Sequence, residues 1–178
     1  FRFMREVYAP GLHLAYAALW LVALDGTLFW VSGRPGPLRF GLSHLVALAT
    51  MFLVLFFLRI ADEIKDYEYD RIHNPDRPLV RGTVRSRELV GALVVIAAVV
   101  AILNASLGGA PLLVVIGDLV WGVALIGLER RSRWLREGMF ANLALTYPVN
   151  VALSVYVYLL FLGRTQSSPQ WREILVVV

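Results

Sequence analysis

The sequence contains no cysteine, which excludes a disulfide framework and any thiolate metal site. Its three histidines, His13, His44 and His73, are far apart, and none belongs to a His-Glu-x-x-His pattern, so that zinc motif is excluded as well. Each of the three reads as an interfacial or hydrogen-bonded residue. Charge is scarce: 17% of residues are Asp, Glu, Lys or Arg, against about a quarter in ordinary soluble domains. No segment recurs at a fixed period and none is of low complexity, which removes solenoids and disordered arrays.

What is abundant is apolar. Of the 178 residues 58% are hydrophobic and the mean hydropathy is +0.67, where soluble domains hold about 45–50% apolar residues. Five stretches, roughly 12–32, 42–60, 89–108, 111–129 and 141–163, are each long enough to cross a hydrocarbon core of about 30 Å. A segment in lipid must satisfy its own backbone hydrogen bonds, which stretches of this length do as helices. The expected fold is therefore an all-α, polytopic membrane helical bundle in contact with the lipid bilayer, forming one transmembrane domain over residues 1–178. Breakers mark the connections at GRPGP (33–37), HNPDRP (73–78), GGAP (108–111) and RTQSSPQ (164–170). Pro148 predicts a kink in the fifth stretch. The first stretch is too long for a signal-peptide core and no small-residue cleavage site follows it, so it reads as a retained span. The opening on Phe1 and the close inside the apolar run WREILVVV predict a piece of a longer membrane protein.

The net charge of +4 invites a nucleic-acid reading, but the distribution of basic residues fits membrane topology better. Thirteen Lys and Arg fall on the N-terminus, on residues 59–87 and on residues 130–136, against Arg34, Arg39, Arg164 and Arg172 on the other side. The positive-inside rule makes the thirteen-charge side cytoplasmic. No nucleic-acid partner is expected.

That side carries the polar island DEIKDYEYDRIHNPDRPLVRG, residues 62–82. With no breaker before Pro75, the second helix is predicted to run on through Asp70. Asp62, Asp66 and Asp70 then fall at about 0°, 40° and 80° around the axis, with Arg59 at about 60° and Glu63 at about 100°. Four carboxylates gather on one face, a repulsive arrangement that worsens beside lipid and predicts something positive between them. Oxygen donors without imidazole or thiolate suit a hard cation, and Mg²⁺ binds through one or two carboxylates plus substrate phosphates. Asp62, Asp66 and Asp70 are the candidate metal ligands and catalytic residues. Arg71, Arg77 and Arg81 are the candidate phosphate contacts, through their planar donor forks. The alternative is a solvated helix end whose acids pair with neighbouring bases. It accounts for Lys65 and Glu68 as a surface pair, but an ordinary helix end favours positive charge at its C-terminus.

The stretch resembles the first aspartate-rich motif of the UbiA-type intramembrane prenyltransferases, Asn-Asp-x-x-Asp-x-x-x-Asp followed by Arg, then Arg-Pro and a Gly. Here Asp62-Glu63 stands for Asn-Asp, followed by Asp66, Asp70-Arg71, Arg77-Pro78 and Gly82. The close match covers about 21 residues, and the order of spans around it agrees from residue 1 to about 163. The resemblance implies an enzyme of nine spans, of which five are present. It also implies Mg²⁺ holding a prenyl diphosphate, and transfer of the prenyl group to an acceptor, often aromatic. Asp62, Asp66 and Asp70 would take the motif's metal-side positions, and Arg71 and Arg77 its basic ones. Tyr67, Tyr69, Trp121 and Tyr147 would be aromatic faces for an allylic cation. The Asp-Glu opening departs from the family pattern, and no second Asp-x-x-x-Asp occurs among the later acids Asp76, Glu88, Asp118, Glu129, Glu137 and Glu173.

Other polar residues lie in the apolar stretches. Asp118 and Asn142 are the candidate acceptor-side residues, Asp118 being placed to orient an acceptor or deprotonate it. Asn142, Asn150 and Ser154 share one side of the fifth helix, where interhelical hydrogen bonding is the competing account. Asp25, beside Gly26 and Thr27, reads as hydrated at the outer interface. Glu129-Arg130-Arg131 reads first as an orientation signal. Two other functions compete. A CDP-alcohol phosphotransferase would need Asp-Gly-x-x-Ala-Arg, whereas Asp25-Gly26 runs into TLFW. A non-catalytic membrane protein, such as a transporter or assembly factor, would use the acids to bind an ion or a partner.

Overall fold

The computed structural model describes residues 3–33, 40–132, 135 and 139–178. Its described residues are helical without strands. A π-helical turn, Met4–Tyr8, leads into α1 (Pro10–Val31), α2 (Leu42–Lys65), α3 (Tyr67–His73), α4 (Ser86–Asn104), α5 (Gly109–Arg131), α6 (Met139–Thr165) and α7 (Trp171–Val177). Five of these, α1, α2, α4, α5 and α6, are long and apolar enough to cross a membrane, which fits a multi-pass membrane protein. The polar connections 34–39 and 133–138 lie outside the described residues, Leu135 excepted.

The helix α2 is the spine, in contact with α1, α4, α5 and α6. Its buried stripe of Ala47, Met51, Val54, Phe57 and Ile60 repeats at the three- and four-residue spacing of one helical face. Side chains that face outward on α1 and α4, such as Leu12, Leu19, Val94 and Ile102, are exposed, as lipid-facing positions would be. Gly122 lets α5 pack tightly on α2, since a Cβ there would lie 2.9 Å from Leu58 Cδ2. Tyr8 ties the N-terminal turn to the spine by donating to the Phe52 carbonyl at 2.8 Å while stacking on His13.

Polar groups inside the bundle find one another. Asn104 Nδ2 donates to Thr50 Oγ1 at 2.9 Å and to the Val100 carbonyl at 2.8 Å, and the Tyr156 hydroxyl donates to Asn104 Oδ1 at 2.7 Å. This network joins α2, α4 and α6. Pro148 sits inside the unbroken α6 and cannot donate to the carbonyl one turn back. The Trp121 indole donates to the neighbouring Leu145 carbonyl at 3.0 Å, so this aromatic candidate serves as an α5–α6 link. Tyr147 likewise donates to the Val178 carbonyl at 3.1 Å, bringing α7 back along α6.

The end of the bundle opposite the acidic island departs from expectation. Asp25 is 1% exposed, not hydrated. Arg164 Nη2 donates to its Oδ1, and His44 Nε2 lies 3.2 Å from its Oδ2. The Gly41 N–H donates to His44 Nδ1 at 3.0 Å, which leaves the ring proton on Nε2 and directs it at Asp25. The partners come from 19 and 139 residues away along the chain, too far for a local spacing argument to find them. Arg164→Ala is expected to lower stability by about 3 kcal/mol, since it leaves the Asp25 charge buried against a neutral imidazole. Thermal unfolding in detergent checks this, with Asp25→Asn/Arg164→Gln expected to recover part of the loss.

Candidate functional site

The acidic island begins where α2 ends. The helix stops at Lys65, Asp66 takes φ −84° and ψ 4°, and α3 starts at Tyr67. The expected uninterrupted helix through Asp70 is thus broken at Asp66, although the amides of Asp66 and Asp70 still bond the carbonyls four residues back at 2.8 Å each. On either side of this turn the carboxylates fall into two groups by their partners.

The first group is Asp62, Asp66 and Lys65, the sole lysine of the chain. Lys65 Nζ lies 3.2 Å from Asp62 Oδ1 and 3.9 Å from Asp66 Oδ1. The two carboxylates are 47% and 44% exposed, while the lysine is largely covered. Lys65 therefore belongs to the acids and not to Glu68, whose carboxylate instead meets Arg71 at 3.4 Å on the outside of α3. Asp62 and Lys65 stand at the mouth of a cleft of about 170 Å³ between α2, α5 and α6. Its walls are Leu58, Leu125, Ile126 and Val149, with Thr146 and Asn150 as polar points on α6.

The second group is Glu63, Asp70, Arg59 and Arg77. Glu63 is buried, and its Oε2 receives Arg59 Nη2 at 3.2 Å while Arg77 Nη1 lies 3.9 Å away. The Arg77 Nε is 3.8 Å from Asp70 Oδ2, and Asn74 Nδ2 donates to Asp70 Oδ1 at 2.7 Å. Arg77 so bridges two buried acids. It is presented by a compact loop in which Arg81 N–H bonds the Arg77 carbonyl and Thr83 N–H bonds the Pro78 carbonyl. Gly82 turns this loop at φ +70°, a conformation that a side chain would strain. Arg81 is held away from both groups by Glu6 at 2.6 Å.

Among the proposed phosphate contacts, then, Arg77 is drawn into the acidic cluster, while Arg71 pairs with Glu68 and Arg81 with Glu6. Among the described residues no group of three His, Asp or Glu side chains converges closely enough to hold a metal ion. Asp70 faces Arg77 and Asn74, apart from Asp62 and Asp66. The donor set that fits Mg²⁺ is the half-exposed pair Asp62 and Asp66, since this ion accepts one or two carboxylates and completes its shell with water and phosphate oxygen. Glu63 is the residue that the candidate ligand set omits. Arg59, four residues before it, was the available sign, being the spacing of a helical ion pair.

The other candidates are dispersed. Asp118 is buried in α5. The side chains of Asn142, Glu129 and Arg130 lie outside the described residues. Tyr69 is exposed and stacks on His73, and Tyr67 packs against the core. Ser154 donates to the Asn150 carbonyl one turn back.

No protein-family model, curated protein or solved structure matches the chain. The resemblance to UbiA-type enzymes therefore rests on the motif and the span order. Glu63→Gln should destabilise the protein by about 2–3 kcal/mol, because two guanidinium groups lose a buried counter-charge. Glu68→Gln, at an exposed pair, should change stability by less than about 0.5 kcal/mol. Paired thermal melts in the same detergent measure both.

Proposed function

We propose that this protein is the Mg²⁺-dependent, diphosphate-binding part of an intramembrane prenyltransferase, moving a prenyl group from a prenyl diphosphate to an acceptor. The observation that carries the proposal is the position of Asp62 and Asp66. They are half-exposed acids at the end of a hydrophobic helix, with Asp62 lining an apolar-walled cleft. In the orientation given by the distribution of arginine and lysine, this mouth faces the cytoplasm, from which a diphosphate head would enter while an isoprenoid tail follows the apolar walls.

The chemistry asked of the chain is electrostatic. Asp62 and Asp66 would hold the cation and turn their remaining negative charge toward it. The cation, when bound, supplies positive charge to the diphosphate as the carbon–oxygen bond breaks. Lys65 would be released from the two aspartates to meet a phosphate oxygen. Arg77, between Glu63 and Asp70, supplies a guanidinium beside the same segment. The walls of Leu58, Leu125, Ile126 and Val149 exclude water from the allylic carbon.

A second reading has its own observation. Within the second group each acid has a basic or amide partner, so the arrangement also suits a membrane protein whose charges only lock a helix end. Binding separates the two. Mg²⁺-dependent retention of a prenyl diphosphate, followed by isothermal calorimetry in detergent, should be lost by at least tenfold in Asp66→Ala and kept in Glu68→Ala. Equal behaviour of the two variants, or binding indifferent to Mg²⁺, counts against prenyl transfer and for the locking role.

A further inference from the structure

Asp118 stands apart from the other buried acids. Glu63 and Asp70 have Arg77, Asp25 has Arg164 and His44, and the Tyr158 hydroxyl donates to Glu173 at 2.9 Å. Asp118 is 3% exposed in the middle of α5, and neither of its carboxylate oxygens has a hydrogen-bond partner among the described residues. It shares one face of α5 with Gly122 and Leu125, at four and seven residues' distance. Both of those line the cleft, so Asp118 lies one turn, about 6 Å along the axis, from the cleft-lining Gly122.

Among the described residues no countercharge pairs with it. The helices packed against α5 are α2, α4 and α6, and their ionisable groups are engaged elsewhere. On α2, Arg59 and Glu63 pair together, Asp62 pairs with Lys65, and His44 pairs with Asp25. On α4, Glu88 accepts the Arg85 amide at the helix start and Arg87 is exposed. On α6, Arg164 holds Asp25, and Tyr147, Tyr156 and Tyr158 donate to other groups. On α5 itself, Glu129, Arg130 and Arg131 are three turns away at the helix end. A lone carboxylate in an apolar interior is far costlier than the neutral acid, so such a group is retained by taking up a proton.

We propose that Asp118 is a proton-binding site in the membrane interior, one helical turn from the cleft-lining Gly122. The step is the addition of one proton from water to one carboxylate oxygen, with no other bond made or broken. It goes beyond prenyl transfer and does not depend on it.

The test is labelling of the full chain in lipid nanodiscs with dicyclohexylcarbodiimide, which enters apolar regions and reacts with protonated carboxyls. Sites are then assigned by peptide mass spectrometry. At pH 8 Asp118 should be labelled while Asp62 and Asp66 are not, and the adduct should vanish in Asp118→Asn. No adduct on Asp118, or one that falls away with rising pH in step with those of Asp62 and Asp66, overturns the proposal. Infrared spectra of the unaltered chain provide a second readout that needs no variant to fold. A protonated-carboxyl band that persists at pH 8 supports the site, whereas its absence contradicts it.

Discussion

A charge taken into the low-dielectric interior of this bundle must find an opposite charge, a hydrogen-bond donor or a proton, because solvation by water is denied to it. That constraint arranges both ends of the molecule. At one end Asp25 gathers Arg164 and His44 and so holds α1, α2 and α6 together. At the other, Arg59 and Arg77 close over Glu63 and Asp70 and fix the loop after α3 against the end of α2. Between them the Thr50, Asn104 and Tyr156 network does with neutral groups what the ends do with charged ones.

Against this background the informative acids are those that stay half-exposed. Asp62 and Asp66 share one lysine and keep about half their surface open, where the acids facing Arg77 are covered. A cation arriving there would meet half-exposed carboxylates beside the Lys65 ammonium. The break at Asp66 matters for this reason. Asp62 lines the cleft while Asp70 faces Arg77 and Asn74, so the acids proposed to bind and those that lock the helix end are different ones on one short segment.

The spans were legible in the sequence because lipid allows few alternatives. Expected limits of 42–60 and 89–108 meet observed helices at Leu42–Lys65 and Ser86–Asn104, and the residual error lies at the ends, α2 running on into polar sequence and α4 starting earlier and stopping sooner than expected. That Arg59 and Glu63 meet one turn apart was also readable, since it follows from their spacing of four residues. Which base the other acids take was not. Lys65 can reach back three residues to Asp62 or forward three to Glu68, and only the turn at Asp66 decides between them. The burial of Asp25 depends on Arg164 from the far end of the chain. Local depth alone predicted water there.

The measurement that bears most directly on this account is an anomalous difference map from crystals grown with Mn²⁺ and inorganic diphosphate. The account predicts a manganese peak between the carboxylates of Asp62 and Asp66, with Lys65 turned toward the diphosphate and Arg77 still between Glu63 and Asp70. A peak within the Glu63 and Asp70 group, or no ordered metal at this end of the bundle, would contradict it.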